Sequence, residues 1–549
     1  MNLTRMGDLL QTTPLIHGLR KKHPDHRIIL AVNKRFEAIL DHFDDFDEKI
    51  ALDLKQFESK GGTYNIVDLY RYFETFIDTI TERSYDIVVN VSHSPFSGIL
   101  VSMLETKNLY GMLIGDEKNR IIRGNWVKYF NSLLFHRAFN RINLVDMYCN
   151  AGEVRSQVQS LLCTSGKSAF DERLKNEFGI EKNDLVIAFQ AGSSRTGRRW
   201  KKEYFAMLGN MLIDNLGAKI CLLGVDAEME ILNDVNRIMK GRGIMFAGKT
   251  NLKELSAFLG RADFLVTNDT GTMHIASAVG TKIISLFLGH AYPYETGPYC
   301  KGAAALMPRI ECYPCSHSIN CPDDVCTQDV TPEQVLELIE KTGKNSEINF
   351  DGIDVGKFQS AILVRSDFDE KNYIDYLPLT KENLTETIYF GIIYKFHMHL
   401  VLGVGKPPCY EISEAEITSL KAKMSVFQTQ NEVKEEFLAR FNEYVTKFVK
   451  ILDRGMSFSA DIVKLLQQSP VPIETVKKMT QSLVEVDSNI RELREVYDVF
   501  SQLIALFDFD IEELEGHDAL LLTKQTNEIY QITKARLLFL QKIVVTLES

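Results

Sequence analysis

The sequence predicts two doubly wound α/β domains followed by a region built only from helices. Short apolar runs typical of buried strands recur through the first part of the chain, and amphipathic helical stretches follow them. These runs are 28–32, 86–91, 185–189, 219–224, 262–266 and 282–287. Beyond about residue 355, apolar residues recur instead at three- and four-residue spacing, which is typical of packed helices. We therefore place the domains at 1–165, 166–350 and 351–549.

Composition excludes some classes of protein. The 549 residues include 45% hydrophobic and 25% charged residues, as in a globular protein. The net charge of −11 argues against a general nucleic-acid binder. No apolar run is long enough to span a bilayer and no signal peptide is evident, which predicts a cytoplasmic location with peripheral attachment to the inner membrane left open. Nine cysteines, an odd number, do not suggest a disulfide framework and favour a reduced compartment.

The segment 267–280 joins a predicted strand to a predicted helix that ends at Gly280. Backbone N–H groups at a helix start, helped here by hydroxyl groups, can seat a phosphate. The residues of this seat and its mouth would be Asp269, Thr270, Gly271, Thr272 and His274. The alternative is a capped helix that binds no ligand.

A glycine-containing basic loop, 190–200, follows the predicted strand at 185–189. Its residues Gly192, Ser193 and Arg198 suit phosphate binding by backbone N–H groups and a guanidinium fork. The alternative is a solvated basic loop.

Three acidic residues follow other strands or loops. Asp8, after Gly7, is either a helix cap or a carboxylate that faces a cleft. Glu228 and Glu230 follow the strand at 219–224, where a carboxylate can bind ribose hydroxyls or stabilise the first turn of a helix.

The motif N-D-T-G-T-M-H from Asn268, the G-D segment at Gly7 and the R-R-W segment ending at Trp200 resemble family nine of the glycosyltransferases, the ADP-heptose:lipopolysaccharide heptosyltransferase-like enzymes. The resemblance covers about residues 1–345. It implies a GT-B fold, in which two Rossmann-like domains face a cleft. It also implies that the loop 289–298 closes over the donor.

The resemblance further implies an activity, which is inverting transfer of a heptose or related sugar from a nucleoside diphosphate donor such as ADP-heptose. The acceptor would be a hydroxyl of a lipopolysaccharide core, another glycan or a protein. Asp8 would be the general base, Arg198 would contact the diphosphate and Glu228 the ribose. No cofactor would be needed for the chemistry.

The sequence departs from the family pattern at three places. Only Met1 to Thr4 stand where a full strand is usual, Arg198 replaces a lysine, and Lys201 replaces a proline.

Four cysteines lie within fifteen residues, at Cys312, Cys315, Cys321 and Cys326. Four thiolates at this spacing can bind a tetrahedral Zn²⁺ or an iron centre, with His317 as a substitute ligand. The sequence therefore predicts a structural metal site. Some members of the resembled family hold iron with a similar cluster.

A helical seam runs through the carboxyl-terminal region, which resembles no family that we recognise. Its apolar positions are Val476, Met479, Leu483, Val486, Ile490, Leu493, Tyr497, Phe500, Ile504 and Phe507. Such spacing fits either an intramolecular helical bundle or a coiled coil that forms a homo-oligomer.

The sequence thus predicts a glycosyltransferase whose partners are a nucleoside diphosphate sugar and a glycan, lipid A-core or protein acceptor. Two alternatives stay open. One is a non-catalytic nucleotide-binding assembly or sensor protein, and the other is a nucleotide-sugar epimerase of GT-B type.

Overall fold

The computed structural model describes residues 1–53, 66–115, 118–135, 137–156, 158, 161, 170–193, 195–316, 321, 325–403 and 410–549. The strands are β1 (Ile29–Asn33), β2 (Glu48–Leu52), β3 (Tyr85–Asn90), β4 (Thr106–Ile114), β5 (Arg120–Arg123), β6 (Val186–Gln190), β7 (Lys219–Leu222), β8 (Ile244–Met245), β9 (Phe264–Asn268), β10 (Lys282–Leu286), β11 (Ala304–Pro308), β12 (Ala361–Phe368) and β13 (Ile374–Pro378).

The α-helices are α1 (Met6–Gln11), α2 (Thr13–Lys22), α3 (Ile66–Thr81), α4 (Pro95–Ser102), α5 (Asn125–Ser132), α6 (Leu144–Ala151), α7 (Asp171–Phe178), α8 (Lys202–Leu216), α9 (Met229–Ile238), α10 (Leu252–Arg261), α11 (Gly271–Val279), α12 (Pro293–Thr296), α13 (Pro332–Thr342), α14 (Glu386–Val401), α15 (Glu414–Met424), α16 (Asn431–Leu466), α17 (Ile473–Val496), α18 (Ser501–Glu512) and α19 (Ala519–Glu548).

The chain divides into two compact units. The first comprises Met1–Tyr72, Ile142–Cys149 and Val154–Thr380, and the second comprises Phe73–Arg141, Asn150–Glu153 and Lys381–Ser549. These units differ from the predicted domains 1–165, 166–350 and 351–549, since β3, β4 and β5 share a unit with the carboxyl-terminal helices. The predicted domain boundaries therefore stay predictions.

The first unit contains an eight-stranded sheet in the order β13-β12-β11-β10-β9-β6-β7-β8. The strands from β11 to β8 are parallel, and β12 and β13 extend the sheet in antiparallel pairing. Every residue of β6 and of β9 is buried, because helices cover both faces of a parallel sheet. The strand order reverses between β6 and β9, and in doubly wound sheets such a reversal opens a crevice at the carboxyl ends of the strands.

The first unit also carries a two-stranded parallel sheet of β1 and β2. The short amino-terminal segment ahead of α1 pairs with it through a single bridge, in which the Asn2 N–H donates to the Ala31 carbonyl at 2.9 Å. The segment that begins at Met6 forms two helices, α1 and α2, which meet at Thr12.

The second unit joins the sheet β3-β4-β5 to the long helices. Helix α16 packs against α17 and α19, and α5 packs against α18. The predicted seam is buried from Leu483 to Phe507, but α17 ends at Val496 and a 3₁₀ turn separates it from α18. The seam therefore lies inside an intramolecular bundle. The α/β class with a helical carboxyl-terminal region is confirmed, although the helices begin after β13 rather than at residue 351.

Within the described ranges, we find no helix that combines the length and the apolar character needed to cross a bilayer.

Candidate functional site

A cavity of about 540 Å³ lies at the carboxyl ends of β6, β7 and β9, in the first unit. Its wall includes nearly all of the residues predicted to bind the ligand. They are Asp8, Ser193, Arg198, Glu228, Asp269, Thr270, Gly271, Thr272 and His274. The strand-order reversal between β6 and β9 explains the position, because the two loops that leave these strands diverge there.

The loops after β6 and β9 are tied together behind the cavity. The Asn268 amide donates to the Ala191 carbonyl at 2.9 Å and accepts the Trp200 backbone N–H at 2.9 Å. The Trp200 indole is buried and donates to the Val330 carbonyl at 2.7 Å. The tryptophan therefore anchors the basic loop and fixes where Arg198 lies.

Helix α11 begins at the cavity. Its N-cap residue, Thr270, has extended backbone and makes no side-chain capping bond. The first-turn N–H groups of Gly271 and Thr272 have no acceptor inside the helix, as at every helix start, and they carry the positive end of the helix dipole. The helix ends at Gly280, whose φ of +80° lies in the left-handed region, as the sequence predicts.

Arg198 and Asp269 form an ion pair in the cavity wall, with 2.8 Å between Nη1 and Oδ2. The side chains are only 13% and 10% exposed. Burial raises the pKa of the Asp269 carboxyl, and the Arg198 guanidinium opposes that shift. A bound anion could therefore compete with this carboxylate for the guanidinium.

Asp8 fills both of the roles that the sequence left open. Its Oδ2 accepts the Arg5 backbone N–H at 3.3 Å, which caps α1, and the residue also borders the cavity. Burial raises the pKa of the Asp8 carboxyl, while the Arg5 N–H and the Thr4 hydroxyl act in the opposite direction. A carboxylate with a raised pKa is a better proton acceptor than an ordinary one.

Two glycines allow α1 and α11 to approach closely. A Cβ added at Gly7 would lie 2.9 Å from His274 Cδ2, and one added at Gly271 would lie 2.7 Å from Met6 Cε. Burial lowers the pKa of His274 to about 4, so its imidazole is neutral near pH 7. Its Nδ1 is buried and has no hydrogen-bond partner among the described residues, and the residue is one of those that line the cavity.

Gly192 lies beside the cavity. A Cβ at this position would overlap the Glu228 carboxylate, so the glycine makes room for that side chain. Glu228 Oε2 accepts the Val225 backbone N–H at 3.1 Å. Glu230 is not among the residues that line the cavity.

Sequence reasoning missed two parts of the wall. Gln190 ends β6 and lines the cavity, whereas the sequence indicates only that it begins the basic loop. Leu223, Phe246, Leu252 and Leu255 are apolar residues that also line the cavity. Gln190 ends β6, Leu223 follows β7 and Phe246 follows β8, so the shared carboxyl edge of the sheet was the available signal.

The predicted metal ligands do not form a cluster in the described parts of the chain. Cys326 is buried in the core of the first unit, whereas Cys312 and Cys321 are exposed. No group of three or more histidine, cysteine or acidic side chains suited to a metal ion occurs among the described residues. The substitute ligand His317 lies outside them.

The sequence was also compared with known proteins. Residues 74–324 match the family model described as glycosyltransferase family 9 (heptosyltransferase). This range contains the loop 190–200 and the segment 267–280, but not Asp8.

Similar proteins and structures cover a larger share of the chain. Lipooligosaccharide heptosyltransferase 2 of Campylobacter jejuni serotype O:2 is 23% identical over 353 residues, which cover 63% of this chain and 98% of that protein. The protein of the same name from serotype O:6 is 28% identical over 347 residues, covering 62% and 96%. A solved family 9 glycosyltransferase from Veillonella parvula has a TM-score of 0.48 and 22% identity, covering 62% of this chain and 94% of that one.

Proposed function

We propose that this chain, a glycosyltransferase that carries a family 9 domain at residues 74–324, transfers a heptose or related sugar from ADP-heptose. The acceptor is a hydroxyl of a lipopolysaccharide core, another glycan or a protein, and the anomeric configuration is inverted. The relatives named as heptosyltransferases support the sugar and the class of acceptor.

The observation that carries the proposal is the meeting of three chemical groups around one cavity. A guanidinium from the basic loop, the first turn of α11 and the Asp8 carboxylate all line it. The guanidinium and the helix N–H groups suit a diphosphate, and a carboxylate of raised pKa suits a base.

The proposed reaction forms one bond and breaks one. The acceptor oxygen bonds to the anomeric carbon as its proton passes to the Asp8 carboxylate, and the bond between that carbon and the diphosphate oxygen breaks. Negative charge then grows on the departing diphosphate. Arg198 and the N–H groups of Gly271 and Thr272 stabilise this charge, so the reaction needs no cofactor in this proposal.

The rest of the donor follows from the remaining walls. Glu228 has one carboxylate oxygen, Oε2, already bonded within the protein, and its Oε1 can accept a ribose hydroxyl. The apolar side around Phe246 and Leu252 can pack against a purine ring. Asp269, Thr270, Thr272, His274, Ser193 and Gly192 complete the proposed donor site.

The test is transfer by the full chain from ADP-heptose to a heptose-deficient lipopolysaccharide core, with donor alone as the parallel reaction. We expect ADP release that depends on the acceptor and a core that is heavier by one heptose in mass spectrometry. Release of free sugar or of an epimerised donor without acceptor would contradict transfer. No binding of ADP or ADP-heptose would contradict the donor site.

Three further properties stay predictions from the sequence. A structural Zn²⁺ or iron at Cys312, Cys315, Cys321 and Cys326 would appear as about one metal ion per chain in elemental analysis. A cytoplasmic location with attachment to the inner membrane can be tested by cell fractionation. A homo-oligomer formed through the helices would appear in light scattering.

A further inference from the structure

The Gln190 side chain stands between two groups of the proposed donor site. It is the last residue of β6, and its side chain is buried, with 4% of the residue exposed. Its Nε2 donates to Glu228 Oε2 at 3.1 Å, and its Oε1 accepts the Thr272 hydroxyl at 3.0 Å. One amide therefore connects the carboxylate of Glu228, the N-cap residue of α9, to the first turn of α11.

The two partners determine how this amide is oriented. An ionised carboxylate can only accept hydrogen bonds, so the NH₂ group must face Glu228 and the carbonyl oxygen must face Thr272. No other side chain of this length both donates to a carboxylate and accepts from a hydroxyl without carrying charge. A glutamate would place two carboxylates together, and a leucine would leave both partners without this bond.

Both bonds also determine which atoms remain for a ligand. Glu228 Oε2 receives the Gln190 and Val225 donors, so Oε1 is the oxygen that remains for a ligand. The Thr272 hydroxyl hydrogen is used on Gln190, so this hydroxyl can accept from a ligand but cannot donate to a phosphate. At the start of α11, the donors that remain for a phosphate are therefore the backbone N–H groups of the first turn.

We propose that Gln190 is a positioning residue, which aligns Glu228 and the first turn of α11 so that one nucleoside diphosphate contacts both at once. This inference rests on the proposed donor site and adds a residue that neither the sequence motifs nor the family resemblance indicated. Gln190 acts through its two partners and is not itself a catalytic residue.

The first experiment measures ADP binding to the full chain by calorimetry. We expect Gln190→Leu to weaken binding about tenfold or more, because two hydrogen bonds that orient ligand-binding groups are lost. The matched control is Gln334→Leu. Gln334 is also a buried amide of the first unit, but it bonds to Thr331, Lys357 and Ser360 and does not line the cavity.

The second variant, Gln190→Glu, gives a readout that a loss of packing would not give. Two carboxylates within hydrogen-bonding distance share a proton at low pH and repel each other when both are ionised. The shared proton restores the donor that Gln190 supplied. We therefore expect the ADP affinity of Gln190→Glu to approach that of the parent protein as the pH falls. The ADP affinity of Gln190→Leu, divided by that of the parent, should not change with pH.

The outcomes separate this inference from the proposed function. If the parent protein does not bind ADP, the proposed donor site is wrong. If the parent binds ADP, and Gln190→Leu binds it equally well or Gln190→Glu shows no recovery at low pH, the positioning role is wrong. In the double variants of Gln190→Leu with Glu228→Ala and with Thr272→Val, the losses should be less than additive. Additive losses would also contradict the role.

Discussion

Two buried ion-pair groups in the molecule show how the same interaction can serve different purposes. In the first unit, Arg198 pairs with Asp269 in the wall of a cavity, beside helix N–H groups and the neutral His274. In the second unit, Lys128 of α5 pairs with Asp510 of α18 at 2.6 Å and also contacts Glu513. Arg536 of α19 contacts the same Asp510 at 3.2 Å.

The surroundings of the two groups explain the difference. Lys128 is 5% exposed. It contacts Asp510 in the last turn of α18, which packs against α5, and Glu513, the C-cap residue of the same helix. That arrangement fastens the helical region to the small sheet within the second unit. Arg198 instead pairs with Asp269, lines a cavity and lies on a loop after a strand. We therefore expect the pair of Arg198 and Asp269 to matter for activity, and the pair of Lys128 and Asp510 to matter for stability.

The largest expected effect is the loss of transfer rate when the proposed base, Asp8, is removed. Asp8→Ala should lower the rate of transfer about 10³-fold, the middle of the range for removal of a general base, and should leave ADP binding unchanged. Single-turnover kinetics and calorimetry measure the two quantities. Asp25→Ala, which changes an exposed carboxylate of the same amino-terminal segment, is the control. Transfer near the parent rate would exclude Asp8 as the base.

The next effect is on the cavity guanidinium. Arg198→Met should lower the transfer rate by about 10² to 10³-fold and weaken ADP binding, because growing charge on the diphosphate loses its cationic partner. Arg261→Met is the control, since Arg261 donates to the Glu181 and Lys182 carbonyls and does not line the cavity. Equal losses in both variants would indicate a general structural effect instead.

The corresponding change in the second unit should act on stability. Lys128→Met should lower the free energy of unfolding by about 3 kcal/mol, at the lower end for a broken buried pair, because Arg536 still faces Asp510. Denaturant unfolding measures this loss, and ADP affinity should not change. An unaltered unfolding midpoint, or a clear loss of ADP binding, would contradict the contrast between the two pairs.

A smaller effect is expected at Gly192. In Gly192→Ala the new Cβ would push the Glu228 carboxylate aside, which should weaken ADP binding about tenfold, the value of one charged hydrogen bond. Gly352→Ala serves as a control of the same unit, because the nearest neighbour of its added Cβ lies at 3.6 Å, an ordinary contact. If Gly192→Ala binds ADP like the parent, Glu228 does not hold the nucleotide.

The smallest effect is a displacement of the pH profile. Burial raises the Asp8 pKa, and the base must be ionised to accept a proton. Activity should therefore fall as the pH drops through this raised pKa, at a higher pH than for an ordinary aspartate. The pKa of Asp269 is also raised, so its protonation could cause the same loss of activity at low pH. If Asp8 is the cause, the Asp269→Asn variant should lose activity over the same pH range as the parent. Retention of activity over that range in Asp269→Asn would assign the loss to the ion pair.

Much of the donor side could be predicted from the sequence. The strands that form β6, β7, β9 and β10 are continuous apolar runs, because a parallel sheet is covered on both faces. The polar residues after them meet at one edge, because the carboxyl ends of parallel strands lie on the same side of the sheet. Asp8 could be placed at the cavity only through the family resemblance, since its local sequence fits a helix cap equally well. In the structure Asp8 does cap α1 as well.

Other features could not be predicted, because they depend on contacts between segments far apart in the chain. Gln190 carries no motif, and its role appears only when Glu228 and Thr272 are placed beside it. Strand β12 pairs with β11 across a gap of more than fifty residues, and β13 pairs in turn with β12, so an apolar run alone did not distinguish these strands from the helical region. The break between α17 and α18 interrupts a spacing that continues unchanged through it.

The proposed donor site is tested most directly by a structure of the full chain with ADP bound. We expect the diphosphate to lie within hydrogen-bonding distance of the Arg198 guanidinium and of the N–H groups of Gly271 and Thr272. The space beside the terminal phosphate should open toward Asp8. Binding of ADP at another place, or with its diphosphate away from both Arg198 and the start of α11, would contradict the proposed donor site.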